Sequence, residues 1–302
     1  MITTKLGLRG EFTLRVIDAR TGNVRAERHF QNLITNVGLE TFAKSQAPGL
    51  FYCSVGKGTN TPSVIDTALS NVVASQNMSD SGTTSPVAPN YEYSASRSCR
   101  FAAGAISDTI TEIGIFYTNA NTLWCRQLIL DEYGNPSSLT VLPNEYLDVV
   151  YTLWYYPPLQ DRAFQFQMNG VTYSCVSRCC YLPRFSNYML SFVTLGSDFQ
   201  FRAAYETQTL GDITSGPAGT EYSALKSSTN YTWGGNEAPY SWKATVSLGL
   251  GEANPPGGIG SAVIYHRASM PASQISFTPK LPKDSNTEMA LLFSQTIGRY
   301  EP

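Results

Sequence analysis

The chain has 302 residues, enough for one large domain or two ordinary ones, and its 21 Lys and Arg stand against 23 Asp and Glu, a net charge of −2. A balance so near neutrality supplies no cationic field to recruit nucleic acid or an anionic membrane. Charged residues make up only 15% of the chain while Ser and Thr number 60, so polarity rests on hydroxyls and turns, which disfavours long solvated helices and favours strands.

Read in chain order, Phe12, Leu14 and Val16 alternate with polar neighbours, Thr21-Gly22-Asn23 supplies a turn, and Val24 to Phe30 returns. This spacing predicts a β-hairpin. Leu33, Val37 and Phe42 suit one face of a short helix near 35–45, capped at Thr35 or Asn36. Phe51 to Val55 reads as a strand, and residues 56–90 as loop with a short helical stretch in DTALSNVV. Strands resume around Tyr91, Tyr93 and Phe101, then in ITEIGIFYT and LWCRQLIL, and in the aromatic run ending at Tyr156. Pro157-Pro158 follows, and two missing amide donors stop a strand. Beyond it, RAFQFQMNGVTYSCVSR predicts a second hairpin about Asn169-Gly170, and SWKATVSLGLG, IGSAVIYHR, ISFTP and EMALLFSQTIGRY predict further strands. The expectation is an all-β chain of two β-sandwich-like units, 1–158 and 159–302, with long loops and at most short helices.

No run approaches the roughly 18 apolar residues of a membrane helix. The N-terminal MITTKLGLRGEFTLRV shows no apolar signal core, so synthesis in the cytoplasm is expected. Chemistry is constrained by two histidines, His29 and His266, each in a strand-like setting. Gly56-Lys57-Gly58-Thr59 lacks the spacing of a phosphate loop and reads as a glycine turn. Cys175, Cys179 and Cys180 cluster in sequence, but adjacent strand residues point to opposite faces, so buried thiols are expected rather than a metal centre. Asp131-Glu132 and Glu145 with Asp148 lie near turns, where carboxylates hydrogen-bond backbone amides. Tyrosine, with 18 copies, is the unusual residue. Tyr151, Trp154, Tyr155 and Tyr156 form one cluster; Tyr222, Tyr231, Trp233, Tyr240 and Trp242 form a looser one in Gly, Ser and Asn-rich sequence. The second set suits either a ligand or interface surface or the pinning of loops to a sandwich face.

Four segments carry a family resemblance: FQNLITNVGLE (30–40), SVGKGTNTP with DTAL (54–69), ITEIGIF (110–116) and LPNEYLDVVY (142–151). In this order they resemble structural proteins of the tails of tailed bacteriophages, of the collar, baseplate or fibre-base type, and the last 30 residues are similar to endings of such proteins. The resemblance implies a virion building block in the tail, present as a ring or cluster of copies and bound to neighbouring tail or fibre proteins. With none of these segments carrying the signature of a catalytic nucleophile, a catalytic acid or a metal ligand, no enzyme activity, no catalytic or metal residues and no cofactor are expected, and the charge balance and short apolar runs lead one to expect neither nucleic acid nor membrane as partner. The hairpin at 11–30 and the tail at 286–302 are expected to reach across to neighbours. The alternatives are a receptor- or glycan-binding tail protein using Tyr222, Tyr231, Trp233, Tyr240 and Trp242, and a cell-wall hydrolase using carboxylates.

Overall fold

The alternation that begins at Phe12 belongs to a strand far longer than a hairpin arm. In the computed structural model, β1 (Ile2–Asp18) is followed by β2 (Val24–Gln31), β3 (Leu33–Ile34), α1 (Asn36–Ser45), β4 (Leu50–Gly56), β5 (Val72–Asn77) and β6 (Ser79–Thr84). Then come β7 (Tyr93–Phe101), β8 (Asp108–Ile110), β9 (Glu112–Tyr117), β10 (Leu123–Leu128), β11 (Leu139–Val141) and β12 (Glu145–Tyr156). Past the prolines lie β13 (Arg162–Met168), β14 (Val171–Cys180), β15 (Gln200–Tyr205), β16 (Glu221–Ser227), β17 (Asn230–Trp233), β18 (Ser241–Leu248), β19 (Ile259–Tyr265), β20 (Ala272–Leu281) and β21 (Met289–Arg299). The structure describes residues 2–45, 50–84, 88–117, 121–181, 200–227, 230–234, 239–265 and 272–300.

The fold is all-β with one helix among the described residues, as the composition led one to expect. An eight-stranded sheet runs β17-β18-β21-β1-β12-β7-β6, with β2 also paired to β1. A five-stranded sheet, β3-β10-β9-β4-β5, and a six-stranded sheet, β13-β14-β20-β19-β15-β16, pack against it. Period-2 alternation sends Leu6, Leu8, Phe12, Leu14 and Val16 of β1 and Leu147, Val149, Tyr151, Leu153 and Tyr155 of β12 to one face, where they meet α1 and the five-stranded sheet. Further along the same face, Ala244, Val246 and Leu248 of β18 and Leu291 and Phe293 of β21 meet the six-stranded sheet. One large sheet therefore closes two sandwiches.

That sharing bears on the boundary. The proline pair does lie in the connection between β12 and β13. The large sheet nevertheless runs across it, because β17, β18 and β21 all come from beyond residue 158. Trp242 and Ile297 sit in the first core, while every residue of the second core lies beyond 158.

Three expectations need correcting. Of the stretch 286–302, the described part as far as Tyr300 is no free arm: β21 lies between β18 and β1, parallel to β1 from Ile2↔Phe293 to Leu8↔Arg299. Of the hairpin at 11–30, β1 is likewise internal, paired with β12 on one edge and with β21 and then β2 on the other. DTALSNVV forms no helix; its end becomes β5, an edge strand of the five-stranded sheet. Where β1 changes partner, Gly10 is demanded by space, since a Cβ there would lie 2.5 Å from Asn32 Oδ1. The second predicted hairpin forms, with Asn169 (φ 50°) and Gly170 (φ 75°) supplying the two left-handed positions of its turn.

Candidate functional site

The glycine turn after β4 is an anion cradle whose anion belongs to the protein. Glu112, at the start of β9, is wholly buried. Its Oε1 accepts from the amides of Gly58 and Asn71, both at 2.9 Å, and its Oε2 from the amide of Ser70 at 3.2 Å and from Arg126 Nη2 at 3.0 Å. Four donors fill the acceptor sites of a carboxylate. Arg126, on β10 and also buried, extends the clamp through Nη2 to the Asn60 carbonyl (3.1 Å) and through Nη1 to Asp66 Oδ2 (3.0 Å), which in turn accepts from the Ser63 amide (2.8 Å). Thr111 Oγ1 donates to the Gly58 carbonyl at 2.8 Å. A side chain at residue 58 would collide with this carboxylate, its Cβ 2.5 Å from Glu112 Cδ, which is why glycine stands there. The arrangement leaves no free lone pair for acid–base chemistry and no free amides of Gly58, Ser70 or Asn71 for a phosphate. It fixes the loop 57–71 in one shape, with Thr59, Asn60 and Thr61 outward and Ile65 75% exposed.

Beside it, α1 starts where the sequence placed its cap. Thr35 Oγ1 accepts from the Gly38 amide at 3.0 Å and donates to the Leu123 carbonyl at 2.6 Å. Tyr117 OH donates to the Gly38 carbonyl (2.8 Å), and Trp124 Nε1 to Tyr151 OH (2.6 Å). The segments bearing the resemblance thus meet in one core.

The looser aromatic set divides. Trp233 and Trp242 are register partners on β17 and β18, and Trp242 is 1% exposed. Trp233 and Tyr240 pack against the first core; Lys44 of α1 lies 4.1 Å from the Trp233 ring centroid, and Trp233 Nε1 donates to the Pro239 carbonyl at 2.8 Å. Tyr222 stands apart on β16, packed against the second core. The Tyr231 side chain lies outside the described residues. As a ligand surface the set is corrected at Trp242, which the alternation of β18 turns inward as a pin between sheet and helix.

His29 sits on β2 with its side chain 62% exposed, Nδ1 3.0 Å from Thr13 Oγ1 and Nε2 3.9 Å from Glu11 Oε2. His266 lies outside the described residues. Cys175 packs in the second core and Cys180 in a separate cluster with Ala203, Tyr205, Val263 and Ala272, so these thiols do not converge. Burial pushes the Cys175 thiol up to about 11 and the Cys179 thiol to about 12. Among the described residues, no group of three or more His, Cys, Asp or Glu is placed to hold a metal ion, and no helix is long and apolar enough to cross a membrane.

Three of the four carboxylates near turns, Asp131, Glu145 and Asp148, have hydrogen-bonding or ionic partners. Asp131 Oδ1 accepts from the amides of Tyr133 (2.9 Å) and Asn135 (2.8 Å), Asp148 pairs with Arg100, and Glu132 lines a small polar cleft beside β2. Glu145 receives Arg25 Nε at 2.5 Å, Arg25 Nη2 at 2.9 Å and the Leu142 amide at 2.8 Å. The Arg25 hydrogen bonds hold the Glu145 carboxyl below its ordinary value. A depressed folded-state pKa gives stability that is complete above the unfolded value, about 4.3, and is lost as pH falls through the lower folded value. Arg25→Met should therefore move the acid-unfolding midpoint, followed by tyrosine and tryptophan fluorescence, to higher pH. An unchanged midpoint would contradict this role.

Sequence reasoning missed Glu112 and Arg126 as organising residues. The available signal was a carboxylate and a guanidinium inside two apolar strands, ITEIGIF and LWCRQLIL, where an unpaired charge is not tolerated. Compared with protein-family models, curated proteins and solved structures, the chain matches none.

Proposed function

We propose that this chain is a structural subunit of a bacteriophage tail, assembling with copies of itself and with neighbouring tail or fibre proteins. The observation that carries the reading is the ordered set of four resembling segments, together with what they build. Residues 30–40 form the end of β2, β3 and the start of α1; residues 54–69 leave β4 as the clamped loop; residues 110–116 hold the end of β8 and all but the last residue of β9, and residues 142–151 hold the turn before β12 and its first seven residues. Their product is a rigid loop that presents hydroxyls, amides and one apolar side chain. Such a loop suits a contact between proteins, where pre-organisation reduces the entropic cost of association. Glu112, Asp131, Glu145 and Asp148 have structural partners, and the work assigned to the chain is binding.

The test is the mass of the purified full-length protein by light scattering, with retention on cell-surface polysaccharide measured in parallel. The expected result is a ring-sized multiple of 33.1 kDa with no retention or degradation of polysaccharide. A monomer at micromolar concentration that retains polysaccharide would favour the receptor-binding alternative, and one that degrades it the hydrolase.

A further inference from the structure

Cys53 and Cys99 stand on the two different sheets of the first sandwich and share its core. Cys53 is on β4 of the five-stranded sheet and wholly buried; Cys99 is on β7 of the large sheet, half-buried at the margin of the same core. Both are free thiols. Cross-sheet contacts bracket them. Two residues before Cys99, Arg97 donates through Nη1 to the Leu50 carbonyl at 2.5 Å and holds its guanidinium carbon 4.4 Å from the Phe51 ring centroid. One residue after Cys99, the Arg100 carbonyl accepts from Gln76 Nε2 at 3.1 Å, and Gln76 is the register partner of Cys53 on β5. The two sheets are thus tied on both sides of the pair, and both thiols belong to the same core.

We propose that Cys53 and Cys99 are a modification site, a latent disulfide that joins the two sheets of the first sandwich when the protein meets a low-molecular-weight disulfide oxidant. The half-exposed Cys99 is the thiol such an oxidant can reach. Its thiolate attacks one sulfur of the oxidant, the oxidant's S–S bond breaks, one small thiolate leaves, and a mixed disulfide stands on Cys99. Cys53, once deprotonated, attacks Cys99 Sγ and releases the second small thiolate. Two protein thiols lose two protons and two electrons, and the oxidant is reduced to two thiols. Burial holds the Cys53 thiol well above its ordinary pKa, so the second step is slow at neutral pH and accelerates about tenfold per pH unit. The nearest alternative, Cys125, already accepts a hydrogen bond from Asn32 Nδ2 at 2.9 Å, and Cys175, Cys179 and Cys180 belong to the other half of the chain. The bond would close a loop containing β5 and β6, where the chain passes from one sheet to the other, and so would restrict the unfolded state.

The experiment is incubation of the reduced full chain with oxidised glutathione at pH 7 and pH 8.5, alkylation of the remaining thiols, and intact-mass and peptide mapping. The expected result is loss of two of the six thiols, one crosslinked peptide pair containing Cys53 and Cys99, faster closure at the higher pH, and a thermal midpoint raised by several degrees. Cys53→Ala should trap glutathione on Cys99 as a stable adduct, and Cys99→Ser should show no rise in midpoint on oxidation. Six alkylatable thiols at both pH values, a crosslink through Cys125, or a wild-type protein that stops at the Cys99 adduct would each overturn the proposal.

Discussion

Glu112→Ala should destabilise the fold by about 3–5 kcal/mol, the cost of removing one partner from a buried ion pair. That is a large part of the roughly 5–15 kcal/mol that holds a typical domain together. The change removes more than an ion pair. It leaves the amides of Gly58, Ser70 and Asn71 without their acceptor and deprives the buried Arg126 of one of its two carboxylates. Arg126→Met should cost less, because Glu112 keeps its three backbone donors. The double variant should not return to wild-type stability, since the orphaned amides remain. Urea unfolding gives the free energies, and hydrogen exchange gives the local readout: protection at Gly58, Ser70 and Asn71 should fall most. A loss below about 1 kcal/mol in Glu112→Ala, within the range of an ordinary hydrogen bond, would mean that the carboxylate does not organise the loop.

What could be read from the sequence follows from which interactions leave a local trace. The second half of β1, from Phe12, and β12 were legible because one face is covered and the other is not, so their residues alternate. The end of β12 before Pro157-Pro158 and the turn at Asn169-Gly170 were legible because backbone chemistry is local. β6 was not, because all six residues of SDSGTT are exposed and an edge strand without an apolar face looks like a loop. Sheet membership was not legible either. The period of β18 and β21 shows that one side is buried but not that these strands complete a sheet begun at Ile2. Trp242 could have been placed inward, since it continues the series of Ala244, Val246 and Leu248; its polar loop context drew attention instead. Glu112 lay inside a recognised segment, yet its partners are 14 to 54 residues away, beyond any local pattern.

Deleting residues 286–302 should prevent folding itself, and only in consequence the assembly proposed above. β21 is hydrogen-bonded on both sides, to β18 from Ser241↔Thr296 to Leu248↔Met289 and to β1 from Ile2↔Phe293 to Leu8↔Arg299. Its removal opens two strand edges in the middle of the sheet that closes both cores. It also withdraws Met289, Leu291 and Phe293 from the second core and Ile297 from the first. Truncating one such side chain costs about 2–5 kcal/mol, so four together match or exceed the stability of a whole domain. Two further ties are lost: Arg299 Nε and Nη2 donate at 2.7 Å to the Ile34 carbonyl and to Asn36 Oδ1 at the start of α1, and Tyr300 stacks on Tyr156 with ring centroids 3.6 Å apart. Adjacent single substitutions separate this from an effect on a surface. Phe293→Ala should lose about 3–5 kcal/mol, whereas Leu292→Ala, at a side chain 44% exposed on the opposite face, should stay within about 0.5 kcal/mol of wild type. A truncated chain that remains soluble and unfolds cooperatively in urea with the wild-type slope would show that the large sheet closes without its C-terminal strand, and would restore the tail as an arm free to reach a neighbour.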